Sequence, residues 1–102
     1  MENRDYLESF RKQIDTVDNE IMILLKRRFQ LSKKIAKYKM NNDVPIEDLD
    51  REKQVFQNLI NLAISMQMSQ QFVKKLFTLI VEQSKEEQDN FLEKKGFGTS
   101  EK

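Results

Sequence analysis

Nothing between Asp5 and Met40 breaks a helix, because the only proline is Pro45 and the only glycines are Gly96 and Gly98. Along this stretch the apolar residues recur in alternating steps of three and four, through Leu7, Phe10, Ile14, Val17, Ile21 and Leu24, then Leu31, Ile35 and Tyr38. The missing beat is Arg28. A guanidinium keeps its proton and is costly to bury without an anion, so the seam at Arg28 either ends in water or faces something negative. A helix of about 35 residues is roughly 50 Å long, whereas a compact chain of this size has a radius of gyration near 13 Å. Two shorter helices cannot cover such a stripe, so a second copy of the chain is the economical partner. The expected architecture is all-α, with three helices per chain, one of them very long, in an intertwined homodimer.

The remaining helices are marked by their ends. Asn41-Asn42-Asp43 favours a turn, Pro45 keeps the backbone extended, and Glu47 or Asp48 can cap a second helix beginning near Leu49. Its apolar face is Val55, Phe56, Leu59, Ile60 and Ala63. The pattern lapses at Gln67-Met68-Ser69, with Ser69 a cap for a third helix that carries Phe72, Val73, Leu76, Phe77, Ile80 and Val81, then Phe91 and Leu92. Gly-Phe-Gly-Thr-Ser after Lys95 reads as a frayed end. The expectation is one helical domain over 1–95 and a flexible tail over 96–102.

With no Cys and no His, disulfides, thiol nucleophiles, the usual zinc sites and imidazole acid/base chemistry are all excluded. No apolar run approaches the roughly 20 residues of a membrane span, and Met1-Glu2-Asn3-Arg4-Asp5 lacks a signal peptide's apolar stretch, so a cytoplasmic protein without a membrane partner is expected. A net charge of +1 offers no general field for nucleic acid. The charge is nevertheless uneven: Lys26, Arg27, Arg28, Lys33, Lys34, Lys37 and Lys39 are met by no acidic residue before Met40. Lys26, Arg27, Lys33 and Lys34 read as a solvated face near the negative end of a helix.

Polar residues interrupt the apolar face of every helix. Lys39 lies eleven residues beyond Arg28, three turns with about 20° of drift, so both cations project from one side. Asp48, Arg51 and Glu52 continue the face of Val55, Phe56 and Leu59 by one turn. Ser84 and Gln88 fill slots between Ile80 and Phe91 where hydrophobes are expected. Taken singly, an Arg can snorkel and a polar seam residue can set register. Taken together, cations, donors and carboxylates on three helices suit a pocket for a small polyanion that carries hydroxyl groups. Arg11 lies seventeen residues before Arg28, roughly 25 Å along the rod and about 100° around it. It either closes the pocket of a partner chain or pairs with Asp15 on the surface.

From Arg11 to Gln88 the chain resembles the all-helical class of chorismate mutases. The resemblance rests on Arg11 with Ile14 and Asp18, Leu24-Leu25 before Arg27-Arg28, Lys37 and Lys39, Pro45-Ile46, Asp48-Leu49-Asp50-Arg51-Glu52, and Phe77 through Ser84 to Gln88. It implies a dimer of three-helix chains with two sites, each completed by an arginine of the other chain. It also implies the Claisen rearrangement of chorismate to prephenate, with no cofactor or metal. In that reading Arg28 and the partner's Arg11 clamp two carboxylates, Arg51 assists and Ser84 adds a polar contact. Lys39 and Gln88 stabilise the ether oxygen, and Glu52, with Asp48 nearby, binds the ring hydroxyl. Ile35 and Val81 form walls. Gln83 and Lys85 stand where apolar lining is expected. With no linker or second domain apparent, a free-standing mutase or an excised domain of a fusion is expected. Isochorismate pyruvate lyase shares the fold and is the nearest rival, although the set Asp48, Arg51 and Glu52 favours the mutase. A non-enzymatic helical module that binds nucleic acid or an acidic protein through the basic stretch ranks below both, since it leaves Arg28, Ser84 and Gln88 unexplained.

Overall fold

The computed structural model describes residues 3–94 and 96. Three helices account for them, α1 (Asn3–Asn41), α2 (Leu49–Ser65) and α3 (Gln70–Lys94), with no strand among the described residues. The tail expected over 96–102 lies outside the described residues except for Gly96, as do Met1, Glu2 and Lys95.

Each helix end is closed by the residues that the sequence offers for it. After α1, Asp43 takes the left-handed conformation (φ 55°) and Val44 N–H reaches back to the Lys39 carbonyl at 2.9 Å, a Schellman-type closure. The end of α2 repeats the device with Gln67 (φ 57°), where Met68 N–H donates to Ala63 O at 2.8 Å and Gln67 N–H to Ile64 O at 3.2 Å. Asp48, rather than Glu47, is the cap of α2, its Oδ1 accepting from Arg51 N–H at 3.0 Å. Ser69 Oγ accepts from Phe72 N–H at 3.1 Å and caps α3.

The chain divides into two units, Met1–Leu31 and Ser32–Lys102. The first consists of the amino-terminal part of α1. Of its large apolar side chains, Leu7, Phe10, Ile14, Val17, Ile21, Leu24 and Leu31 are exposed, while Leu25 and Phe29 are half-buried.

The second unit contains the end of α1 with α2 and α3. Val55, Phe56, Leu59 and Ile60 are half-buried and Ala63 is buried, as their spacing on α2 requires. On α3 the inward stripe is Val73, Phe77, Ile80, Val81, Ser84, Phe91 and Leu92. Phe72 and Leu76, expected on that face, are exposed, Leu76 only marginally at 39%, both lying to one side of the line through Val73, Phe77, Ile80 and Ser84. The α1 segment brings a larger correction. Its buried residues are Ser32 and Ala36, the latter 0% exposed, while the seam residues Ile35 and Tyr38 are exposed. The inward stripe is therefore displaced by about 100° from the seam of large hydrophobes. No large side chain among the described residues is fully buried, so this core is thin for a domain standing alone.

Candidate active site

The second unit gathers most of the polar residues singled out in the sequence. Ser32 and Lys39 are seven residues apart, two turns of α1, so they share a face with Ala36 between them and lie about 10.5 Å apart along the axis. From α3, the Gln88 side chain reaches this face. Its Nε2 donates to Ser32 Oγ at 2.7 Å and to Ser32 O at 3.0 Å. A small residue at position 32 leaves the helix carbonyl accessible to an amide from another helix. Lys39, half-buried, donates from Nζ to Ile46 O at 3.1 Å and ties the end of α1 to the chain that leads into α2.

Ser84 is buried one turn before Gln88 on the inward stripe of α3. On either side run two ion pairs between helices. Lys33 Nζ lies 3.2 Å from Glu87 Oε1, joining α1 to α3, and Lys85 Nζ lies 2.9 Å from Glu52 Oε2, joining α3 to α2. The hydrogen bond to Glu52 is the main reason the Lys85 pKa is raised above 10.5, opposed by partial desolvation and reinforced by the charges of Glu52, Glu47 and Glu82. Both pairs are partly exposed, so each contributes at most about 1 kcal/mol of stability, and their importance is positional.

Other expected site residues are occupied locally. Asp48 is exposed and spends one carboxylate oxygen as the α2 cap. Arg51 is exposed and donates along its own helix to Gln54 Oε1 at 2.7 Å. Within the first unit, Arg28 is half-buried and Arg11 is exposed. Arg11 pairs with Glu8 at 3.5 Å, not with the Asp15 that i+4 spacing offered. Ile35, expected as a wall, is exposed on the seam side of α1, whereas Val81 is half-buried.

Ser32 was missed by following large hydrophobes alone. The available signal was a pair of small residues, Ser32 and Ala36, one turn apart and in step with Lys39. The described residues include no group of three or more acidic side chains arranged to hold a metal ion, and no helix long and apolar enough to cross a membrane. As assembled, the second unit offers an ammonium and an amide as donors along one face of α1, a carboxylate on α2 and a buried hydroxyl on α3. Groups of these types are the ones that a small anion bearing a hydroxyl, with charge growing on an oxygen, would call for.

Comparison with known proteins points the same way. The profile of chorismate mutase type II matches residues 10–89. The chain is 32% identical to the chorismate mutase of Methanocaldococcus jannaschii over 85% of its own length and 88% of that protein. It is 36% identical to the bifunctional chorismate mutase/prephenate dehydratase of Buchnera aphidicola subsp. Schizaphis graminum, covering 92% of this chain. It is 30% identical to the Escherichia coli K12 protein of the same description, covering 82% of this chain. The chain spans about a quarter of the length of those two bifunctional relatives, 24% and 22% respectively.

Proposed function

Since the chain belongs to the chorismate mutase type II family, we propose that it converts chorismate to prephenate by an intramolecular Claisen rearrangement. The observation that carries this reading furthest is the Gln88 amide held against Ser32, on the same face of α1 as the Lys39 ammonium. Two donors of this kind are what the reaction needs. As the ether bond breaks, negative charge gathers on its oxygen, and preorganised donors stabilise that charge more in the transition state than in the ground state.

The two donors are differently prepared. An ammonium has three hydrogens, so Lys39 can keep Ile46 O and still donate to the substrate. An amide NH2 has two, both now directed at Ser32, so Gln88 exchanges one of these bonds for the ether oxygen. Since the Gln88 amide donates without any ionisable proton, the rate is expected to show no steep rise below about pH 6.

Arg28 and Arg11 of a partner chain are assigned to the two substrate carboxylates, with Arg51 assisting and Ser84 adding a polar contact. Holding the flexible side chain over the ring is an orientation effect, and carboxylate binding offsets the freedom lost. Arg51 and Arg11 each spend one nitrogen on an exposed contact, with Gln54 and Glu8 respectively, and keep other N–H donors for a carboxylate. Glu52, with Asp48 nearby, accepts the ring hydroxyl. A rate gain of about 10⁶ requires some 8 kcal/mol, divided between orientation and charge stabilisation.

The homodimer belongs to the same proposal. The exposed seam from Leu7 to Leu24 and the thin core of the second unit support a second copy as its cover. A cytoplasmic location is also part of the reading, on the strength of the sequence. Incubation with chorismate, and separately with isochorismate, followed by proton NMR, tests the activity. Prephenate from chorismate is the expected product. Pyruvate formed mainly from isochorismate would replace the mutase with a lyase, and no turnover of either would refute the enzymatic reading.

A further inference from the structure

Lys85 is a cation on α3 in a position flanking the buried Ser84, and its ammonium meets Glu52 of α2 at 2.9 Å. Glu52 is itself one turn inside a helix whose entrance also carries Glu47, Asp48 and Asp50. If Glu52 accepts a substrate hydroxyl, as the mutase reading requires, this gathering of carboxylates would repel the dianion that carries that hydroxyl. Lys85 removes the conflict. It occupies Oε2 of Glu52, cancels the nearest negative charge and leaves Oε1 with lone pairs for a hydroxyl.

We propose that Lys85 is a positioning residue for substrate binding, holding the Glu52 carboxylate between α3 and α2 in a neutralised pair so that it can accept the hydroxyl of a dianionic substrate. The inference rests on the mutase reading of the site. Several observations separate this role from that of a chance surface pair. The pair bridges two helices instead of two turns of one, Glu52 is only 30% exposed, and Lys85 is on the turn that carries Ser84 and Gln88. The second pair between helices in this unit, Lys33 with Glu87, joins α1 to α3 beside Ser32 and Gln88 and has no carboxylate assigned to substrate.

The test is steady-state kinetics with chorismate on Lys85→Met, Lys85→Arg, Glu52→Gln and the double variant Glu52→Gln/Lys85→Met, with circular dichroism confirming helicity. Lys85→Met should raise KM about two- to fivefold, the range expected for a partly exposed pair, and leave kcat within about twofold. Lys85→Arg should restore KM. In the Glu52→Gln background, Lys85→Met should have no further effect on KM, because the group it positions has lost its charge. An equal rise in both backgrounds would mean that Lys85 touches the substrate itself, and would overturn the positioning role. So would a fall in kcat without a change in KM, or wild-type kinetics in Lys85→Met. If the unaltered protein does not turn over chorismate, the mutase reading falls and takes this inference with it. Turnover by that protein with KM unmoved in Lys85→Met removes the inference alone.

Discussion

In the unit that ends at Leu31, α1 leaves the large apolar side chains of its three-four seam exposed, whereas in the unit that begins at Ser32 it turns a serine and an alanine inward. The same kind of amphipathic helix is thus used in two ways. In the first unit the stripe of Leu7, Phe10, Ile14, Val17, Ile21 and Leu24 is about half exposed, and each such residue would gain about 1 kcal/mol on full burial. In the second, the inward stripe is small and polar, and its value lies in admitting Gln88 from α3 and in carrying Lys39. On the proposed reading, the exposed hydrophobic stripe is where a second copy would pack, and the small and polar residues are where the chemistry would sit.

The comparison is tested most sharply at Lys39. Lys39→Ala should lower kcat by roughly 10²–10³, the loss typical of one transition-state donor, with helicity retained; near-normal turnover would remove Lys39 from the mechanism and leave the second unit without its principal donor. Ala36→Asp should come next, costing more than about 3 kcal/mol because an unpaired charge would enter a site with no exposure, and urea denaturation would measure it. The matching change in the first unit, Ile14→Asp, should leave helicity intact and shift sedimentation from dimer to monomer, at about 1–3 kcal/mol of association. Monomeric sedimentation of the unaltered protein would end the idea that a second copy covers the seam.

Ser32→Ala should be milder. Removing the hydroxyl leaves Gln88 its bond to the Ser32 carbonyl, so a loss of about 0.5–1.5 kcal/mol, seen as a several-fold fall in kcat, is expected. The smallest effect concerns Lys85. Its pKa is raised in the folded state, so its contribution is fully present below the unfolded value of 10.5 and is lost as pH rises through the folded one. The stability difference between the wild type and Lys85→Met should therefore stay flat from about pH 7 to pH 9 and shrink only in stronger alkali.

Local grammar made much of this molecule legible. The absence of Gly and Pro from within the helices, the Asp48 and Ser69 caps and the three-four spacing on α2 and α3 all describe interactions within a turn or two, and the helices begin and end close to where those residues place them. The inward polar positions Ser84 and Gln88 were readable for the same reason: they interrupt a pattern that their own helix establishes. The inward face of α1 was not. Large hydrophobes point to a seam, but whether that seam faces this chain or another depends on what arrives from elsewhere.

What the sequence by itself determined is the helical class and the three elements with their ends, together with a set of candidate residues for the proposed site. Tertiary structure alone decided that Ser32 holds Gln88 from a position 56 residues away, that Lys85 claims Glu52, and that Ile35 faces solvent while Ala36 is buried. Capping and periodicity act between neighbours along the chain and can be read in order. A hydrogen bond between helices depends on the rotation of each about its axis, and that rotation is settled only when the faces pack.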